Sequence, residues 1–128
     1  MRVCVLTIID KSNYLKGLLI LARKDDKLVE NEKKIIREAA KRLGFSKDFY
    51  EDTLRNLMNN KYLVDTPIKF STTDIAKLFL SEGIELAATD NDLCEKEVTW
   101  LKSVAFENDI SHDWFEETLN SIMSSKAN

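Results

Sequence analysis

The sequence predicts an all-α fold, a single domain of about six to seven helices. Glycine and proline are scarce, with three Gly and one Pro in 128 residues, which favours long helices over many turns. Residues 21–58 align without a gap with residues 86–123, and 13 of the 38 paired positions are identical. Unrelated sequences would share about 2–3 such positions. The chain is therefore predicted to be an internal duplication of a three-helix unit, with a pseudo-two-fold relation and one shared core.

The length fits one domain over residues 1–128, which is enough to bury a core. The first repeat is placed at about 12–60, the connector at about 61–70 and the second repeat at about 71–124. Before the first repeat, residues 3–9 are mostly apolar but lack the length and cleavage site of a signal peptide. They are predicted to form a short extended segment, as a buried first strand, or the start of a helix.

The first unit is predicted to hold three helices. Its first helix covers about 12–24, and its second covers about 30–43, with Gly44 just past the end. Ser46 caps the third helix, which runs to about Met58. The predicted apolar faces consist of Tyr14, Leu15, Leu18, Leu19 and Ala22, then Ile35, Ile36, Ala39, Ala40 and Leu43, then Phe49, Tyr50, Leu54, Leu57 and Met58.

The connector contains the turn signal Asp65-Thr66-Pro67, and its apolar flanks are predicted to pair as short extended pieces with residues 3–9. The second unit then repeats the helical pattern. Residues 71–74 have the capping-box form and open a fourth helix, a fifth covers 95–107, and a sixth follows Ser111. The predicted apolar faces are Ile75, Leu78, Phe79, Leu86 and Ala87, then Val98, Trp100 or Leu101, Val104 and Ala105, then Trp114, Phe115, Leu119, Ile122 and Met123. The tail from Ser124 is expected to fray.

Composition limits the classes of function. Two distant cysteines, Cys4 and Cys94, do not make a disulfide framework, so a reducing, cytoplasmic compartment is predicted. No stretch approaches the ~20 apolar residues of a membrane span. Residues 1–64 carry 14 Lys/Arg against 9 Asp/Glu, whereas residues 65–128 carry 5 against 13. This division suits a protein partner, and it is unlike the uniformly basic surface of a nucleic-acid binder.

One basic row stands out on the predicted second helix. Lys33, Arg37 and Lys41 follow one another at four-residue spacing, so they share one helical face. Such a row is most often a solvated face. The alternative is a landing surface for an acidic protein partner or an anionic lipid.

Both copies carry an acidic turn of the form Asp-x-x-Leu-x-Glu-x-Glu after their first helix. Its shared carboxylates are Asp25 and Glu32 in the first copy and Asp90 and Glu97 in the second. They have two interpretations that the sequence leaves open. Acids in the first turn of a helix complement its dipole, and Glu32 and Glu97 can cap it by reaching back. Alternatively, the two turns converge on a hard cation of the calcium or magnesium type, because such ions prefer oxygen ligands.

Two more acids, Asp26 and Asp92, are secondary candidates for that cation site. The turn is not an EF-hand. Counted from Asp90, the sixth position is Glu95, where an EF-hand needs Gly.

These turns resemble the signature of the tellurite-resistance TerB family and its TerB-like relatives. That signature is an apolar helix ending in Ala-x-x-Asp-Gly, then an apolar residue and an acid-led helix. Residues 21–28 with Glu32, and residues 86–93 with Glu97, match it in the two copies, and the resemblance covers about residues 12–123. Two departures occur in both copies. The usual Gly is replaced by Asp26 and Asn91, and the usual small hydroxyl by Val29 and Cys94.

The resemblance implies an all-helical duplication that serves in stress resistance, including tellurite, phage and toxin responses, or as an interaction module. By resemblance, the family's acidic residues carry over to Asp25, Glu32, Asp90 and Glu97 as cation ligands.

No set of acid, base and nucleophile emerges from the sequence, so a non-enzymatic protein is predicted. The single histidine, His112, falls in the first turn of the sixth helix and is expected at the surface. The leading hypothesis is a TerB-like stress or defence module that binds a divalent cation through its acidic turns. The alternative is a metal-free adaptor that binds a protein partner through its charge-divided surface. The oligomeric state stays open.

Overall fold

A computed structural model describes residues 7–23, 30–59, 66–88 and 95–127 of the chain. These ranges form six α-helices and contain no strand, so the predicted all-α fold is confirmed. The helices are α1 Ile8–Arg23, α2 Glu30–Arg42, α3 Lys47–Asn59, α4 Thr73–Ala87, α5 Glu95–Glu107 and α6 His112–Ala127. No helix among the described residues has the length and apolar character needed to cross a membrane.

The helix starts follow the register of the repeat. The helices α4, α5 and α6 each begin 65 residues after α1, α2 and α3 respectively. The starts of α2 and α5 agree with the prediction. In contrast, α1 begins at Ile8 and not near residue 12, and α6 continues to Ala127 where fraying was expected from Ser124.

The loop between the second and third helices has the same backbone form in both units. Gly44 and Asp109, at equivalent positions, both have positive φ, at 91° and 57°. The amide after each one donates to the carbonyl five residues earlier, at 3.0 and 2.9 Å, which is the bonding that ends a helix through a left-handed residue. Ser46 and Ser111 then cap the next helix, since each hydroxyl accepts from the amide three residues on, at 3.2 and 3.1 Å.

The two units meet where α1 packs on α4. Within the first unit α1 also contacts α2 and α3, and within the second α4 also contacts α5 and α6. The core contains the fully buried rings of Phe79 and Phe115. Phe79 lies edge-on to Tyr14 at 5.4 Å between ring centroids and to Trp100 at 6.1 Å. The central pair of helices is thus the structural link between the two halves.

Among the predicted apolar faces, the side chains of Leu54, Leu57 and Met58 lie outside the described ones, and two of the described residues are exposed instead. Phe49 is 50% exposed and stacks on Phe45 with ring centroids 5.0 Å apart, so it covers the loop before α3 and does not enter the core. Leu78 is 51% exposed because it lines an open cleft beside α4. Both Trp100 and Leu101 are buried, although the sequence favoured one or the other.

The start of α1 shows the second of the two alternatives that the sequence left open for residues 3–9, a buried strand or the start of a helix. Thr7 caps the helix, since its hydroxyl accepts from the Asp10 amide at 3.0 Å and donates to the Asp10 carboxylate at 2.9 Å. Ile8 and Ile9 are helical and are 82% and 73% exposed. They therefore pair with no extended segment, and residues 1–6 lie outside the described part of the chain.

The described end of the connector, residues 66–70, is held by a side chain and not by a strand. Asn108 accepts from the Phe70 amide at 2.8 Å and donates to the Ile68 carbonyl at 2.8 Å. These bonds give the connector backbone partners that a neighbouring strand would otherwise supply. Residues 7–9 therefore take no part in the pairing predicted between the connector and residues 3–9, and the part of that prediction that concerns residues 3–6 lies outside the described residues.

The capping of α4 begins one residue later than the capping-box pattern indicated. Thr72 is the N-cap, and its side chain accepts from the Ile75 amide at 3.2 Å. Ser71 binds Asp10 of α1 instead, and its amide donates to that carboxylate at 2.9 Å. Asp10 therefore joins the start of α1 to the start of α4.

Candidate functional site

Among the predicted cation ligands, Glu97 has the most informative position. It is the third residue of α5 and is 1% exposed, whereas Glu95 in the same turn is exposed. Its oxygen Oε2 is fully enclosed, and the side chain is engaged in an interaction. Carboxylates are rarely buried to this degree because removing the charge from water is costly unless it is compensated. A buried acid thus stands at the helix start that the repeat singled out.

The remaining predicted ligands are not placed by the structure. Asp25, Asp26, Asp90 and Asp92 lie outside the described residues, and Glu32 lies in the first turn of α2 with an undescribed side chain. Within the described ranges, no group of three or more His, Cys, Asp or Glu side chains is arranged to hold a metal ion. The convergence of the two turns stays a prediction, and any site at Glu97 needs ligands from the turn before α5.

The predicted basic row has one member in an inter-helix ion pair. Arg37 donates to Glu51 of α3 through two nitrogens, with Nε to Oε2 at 2.9 Å and Nη2 to Oε1 at 3.0 Å. This bidentate contact from Arg37 lowers the pKa of Glu51. Lys102 and Glu116 form the equivalent pair of the second unit at 3.3 Å. The charge of Arg37 is thus used to join α2 to α3, while the role of the row in binding a partner stays a prediction.

The other members of the row differ in exposure. Lys33 is half-buried and engaged in an interaction, while Lys41 is exposed. The three basic side chains of the row are therefore not equivalent on the surface of α2.

An open cleft that the sequence did not indicate lies beside α1, α2 and α4. Its volume is about 460 Å³. Its walls combine apolar and charged side chains, which are Tyr14, Arg42, Leu43, Leu78, Ser81, Glu82 and Glu85. Apolar walls with a few convergent polar groups are typical of binding sites.

A three-residue polar network forms the inner wall of this cleft. The Tyr14 hydroxyl donates to Glu82 Oε1 at 2.6 Å, and Arg42 Nη2 donates to the same oxygen at 2.6 Å. Burial raises the pKa of Tyr14, and the bond to Glu82 raises it further, so the phenol keeps its proton. For Arg42, burial alone would lower the pKa, but the hydrogen bond to Glu82 and the electrostatic interactions with Glu82, Tyr14 and Glu38 together outweigh it, and the pKa is raised. The network therefore fixes one charge of each sign at the cleft.

The network was invisible to sequence reasoning for two reasons. Its partners are 68 and 40 residues apart, so no local spacing brings them together. It also departs from the repeat, because Tyr14 and Glu82 are equivalent to Phe79 and Gly17. The hydrogen bond between Tyr14 and Glu82 on one side of the α1–α4 contact is therefore replaced on the other side by the Phe79 ring over Gly17.

A smaller cavity of about 190 Å³ lies between α5 and α6. Phe106 at its rim is 81% exposed. His112, also at the rim, has a side chain 71% exposed and lies 3.5 Å from Glu116, so its predicted surface position is confirmed.

Comparison with protein-family models, with curated proteins and with solved structures finds no match to this chain. The TerB-like resemblance therefore stays a prediction that depends on the acidic turns themselves. What the geometry adds is the burial of Glu97 and the cleft around Glu82.

Proposed function

We propose that this chain is a non-enzymatic, TerB-like helical module that binds a divalent cation of the calcium or magnesium type at the turn before α5. One observation carries the proposal, namely that Glu97 is 1% exposed at the start of that helix. The resemblance of the acidic turns supports a stress or defence role. The cysteine usage supports a cytoplasmic location.

The chemistry of a buried carboxylate supports a cation. A carboxylate has two oxygens and about four lone-pair sites, so Glu97 can hold one protein partner and still ligate an ion. Asp90 and Asp92 precede Glu97 in the sequence and belong to the same acidic turn motif. The positive end of α5 offsets only about half a charge, which leaves a net negative site for a hard cation.

Calorimetric titration with calcium, magnesium and manganese chlorides tests the proposal. We expect one of these salts to bind the wild-type chain, and Glu97→Gln to weaken that binding at least about tenfold because a charged ligand is lost. Glu95→Gln is the matched control, since it removes an exposed acid from the same helical turn. Absence of heat with all three salts, or equal affinity of Glu97→Gln and wild type, would refute the site.

A second candidate function is the metal-free adaptor, and the open cleft at Glu82 favours it. The cleft exposes Leu78 beside charged side chains, which is the mixture found at protein-binding surfaces. In this case Glu97 is compensated by protein groups alone, and the calorimetric titration gives no signal. The chemistry of the cleft then decides which partner it takes.

A further inference from the structure

The cleft lies where the two repeat units place different residues at equivalent positions of the α1–α4 contact. On one side of the α1–α4 contact, Phe79 lies over Gly17, and Ile68 of the connector packs beside it. On the equivalent side, Tyr14 and Glu82 meet at the wall of a cavity of about 460 Å³. Apolar groups thus fill one side of the α1–α4 contact. On the equivalent side, polar groups line an open cleft.

The charges around the cleft are mainly negative. Glu82 and Glu85 are both in its lining, and Glu38 on α2 is close enough to Arg42 to act on its charge. Among the described residues of that lining, Arg42 is the cationic one. The described lining thus carries two carboxylates and one guanidinium, which disfavours an anionic ligand.

The hydrogen bonds at Glu82 determine how a ligand can be held. Tyr14 and Arg42 both donate to Oε1, which leaves Oε2 as an acceptor for an incoming donor. The Glu82 side chain is only 16% exposed, so its orientation is fixed before a ligand arrives. Leu43 and Leu78 supply apolar surface along the same cleft.

We propose that this cleft binds a lysine or arginine side chain of a protein partner. The aliphatic stem of such a side chain packs on Leu43 and Leu78, and its cationic head binds Oε2 of Glu82, with Glu85 as the second negative charge. Lys and Arg combine an apolar stem with a charged head, which matches both kinds of wall. The inference concerns the second candidate function and does not depend on the cation site at Glu97.

The partner is assigned as a protein because of the exposed leucine. Leu78 is 51% exposed at the mouth of the cleft, so a ligand seated there continues onto apolar surface outside it. A free diamine or amino acid gains nothing from that surface, whereas residues flanking a Lys or Arg in a peptide do.

Fluorescence anisotropy with a labelled, end-capped peptide of alternating Leu and Arg tests this inference. We expect saturable binding by the wild-type chain, and none by a matched peptide of alternating Leu and Glu. Glu85→Gln and Leu78→Ser are expected to weaken binding at least about tenfold each, since one removes a charge and the other an apolar contact. Both residues are exposed, so neither change threatens the core.

The control variant is Glu117→Gln on α6, which removes an exposed acid far from the cleft along the chain. Equal weakening by Glu117→Gln and Glu85→Gln would mean nonspecific attraction and would overturn the proposal. Unchanged affinity of Leu78→Ser would do the same. If arginine amide alone competes as well as the peptide, the cleft takes a free cation and the assignment to a protein partner is wrong.

The chain's own first residues are the rival occupant. The repeat register aligns residues 3–5 with residues 68–70, which pack at the equivalent side of the α1–α4 contact. A version lacking residues 1–6 should bind the peptide as the full chain does. Binding that appears only after this truncation would assign the cleft to the chain itself.

Discussion

Asp10 is buried and hydrogen-bonded to a distant segment, which its local sequence does not indicate. It is 2% exposed, accepts from Thr7 at the cap of α1, and accepts from both the amide and the hydroxyl of Ser71. Burial alone would raise the pKa of Asp10, but the hydrogen bonds from Ser71 and Thr7 outweigh it, and the pKa is lowered. The ionised carboxylate is therefore the form that joins the starts of α1 and α4.

Replacing this carboxylate should destabilise the protein in a pH-dependent way. We expect Asp10→Asn to lower the free energy of unfolding by about 2 kcal/mol at neutral pH, because hydrogen bonds to a charged group are lost. Since the folded pKa lies below the ordinary value of 3.8, the wild-type advantage is present above that value and disappears as pH falls through the folded pKa. Urea unfolding from pH 7 to pH 3 measures both.

The matched control is Asp74→Asn, an exposed acid in the first turn of α4. Its effect should stay within about 0.5 kcal/mol. A pH-independent loss for Asp10→Asn would mean that the shape of the side chain matters and not its charge.

Among the helices, the close approach of α1 to α4 has one residue that permits it. A Cβ on Gly17 would lie 2.5 Å from Phe79 Cζ and 2.6 Å from Cε1. The Phe79 ring is fully buried among Tyr14, Phe70 and Trp100, so it has no room to move away. Glycine at this position therefore sets the distance between the two central helices.

Gly17→Ala should destabilise the fold by about 1–3 kcal/mol, since overpacking a tight core forces a shift of helix or ring. Helix propensity alone predicts the opposite sign, a gain of about 1 kcal/mol. Thermal unfolding followed by circular dichroism separates the two outcomes. Lys16→Ala, at an exposed neighbour, controls for propensity and should change stability by less than about 0.5 kcal/mol.

The elements that sequence reasoning predicted well are those whose signals are local. The starts of α2 and α5 follow from the acidic turns, and the left-handed residue at Gly44 follows from its place after a helical stripe. The helix α1 begins before the predicted start near residue 12, at a capping pattern of Thr7 and Asp10, because the apolar residues around them left both a strand and a helix start open.

The cleft was missed for a different reason. Its network needs Tyr14, Arg42 and Glu82 from three helices, and the tertiary packing that brings these helices together is not encoded in any single segment. Glu97 was selected from the sequence as a repeated acid, but its burial depends on tertiary packing, which no local pattern reports.

On the scale of the whole molecule, the repeat predicts two units, whereas the packing joins them into one core. The α1–α4 contact is among the main ones between helices, and Phe79 of the second unit lies against Tyr14 and Gly17 of the first. Separating the halves would expose these groups together. We therefore expect the two units to unfold as one.

The positions of the tryptophans make this expectation measurable. Trp100 and Trp114 are the only two in the sequence and both belong to the second unit, while helical circular dichroism reports on both units. Urea unfolding curves from the two probes should coincide, as a two-state transition requires. Gly17→Ala, which acts at the contact between units, should shift both curves equally. A tryptophan transition at higher urea than the circular dichroism transition would show that the second unit survives without the first, because the α1–α4 contact would then be dispensable for its core.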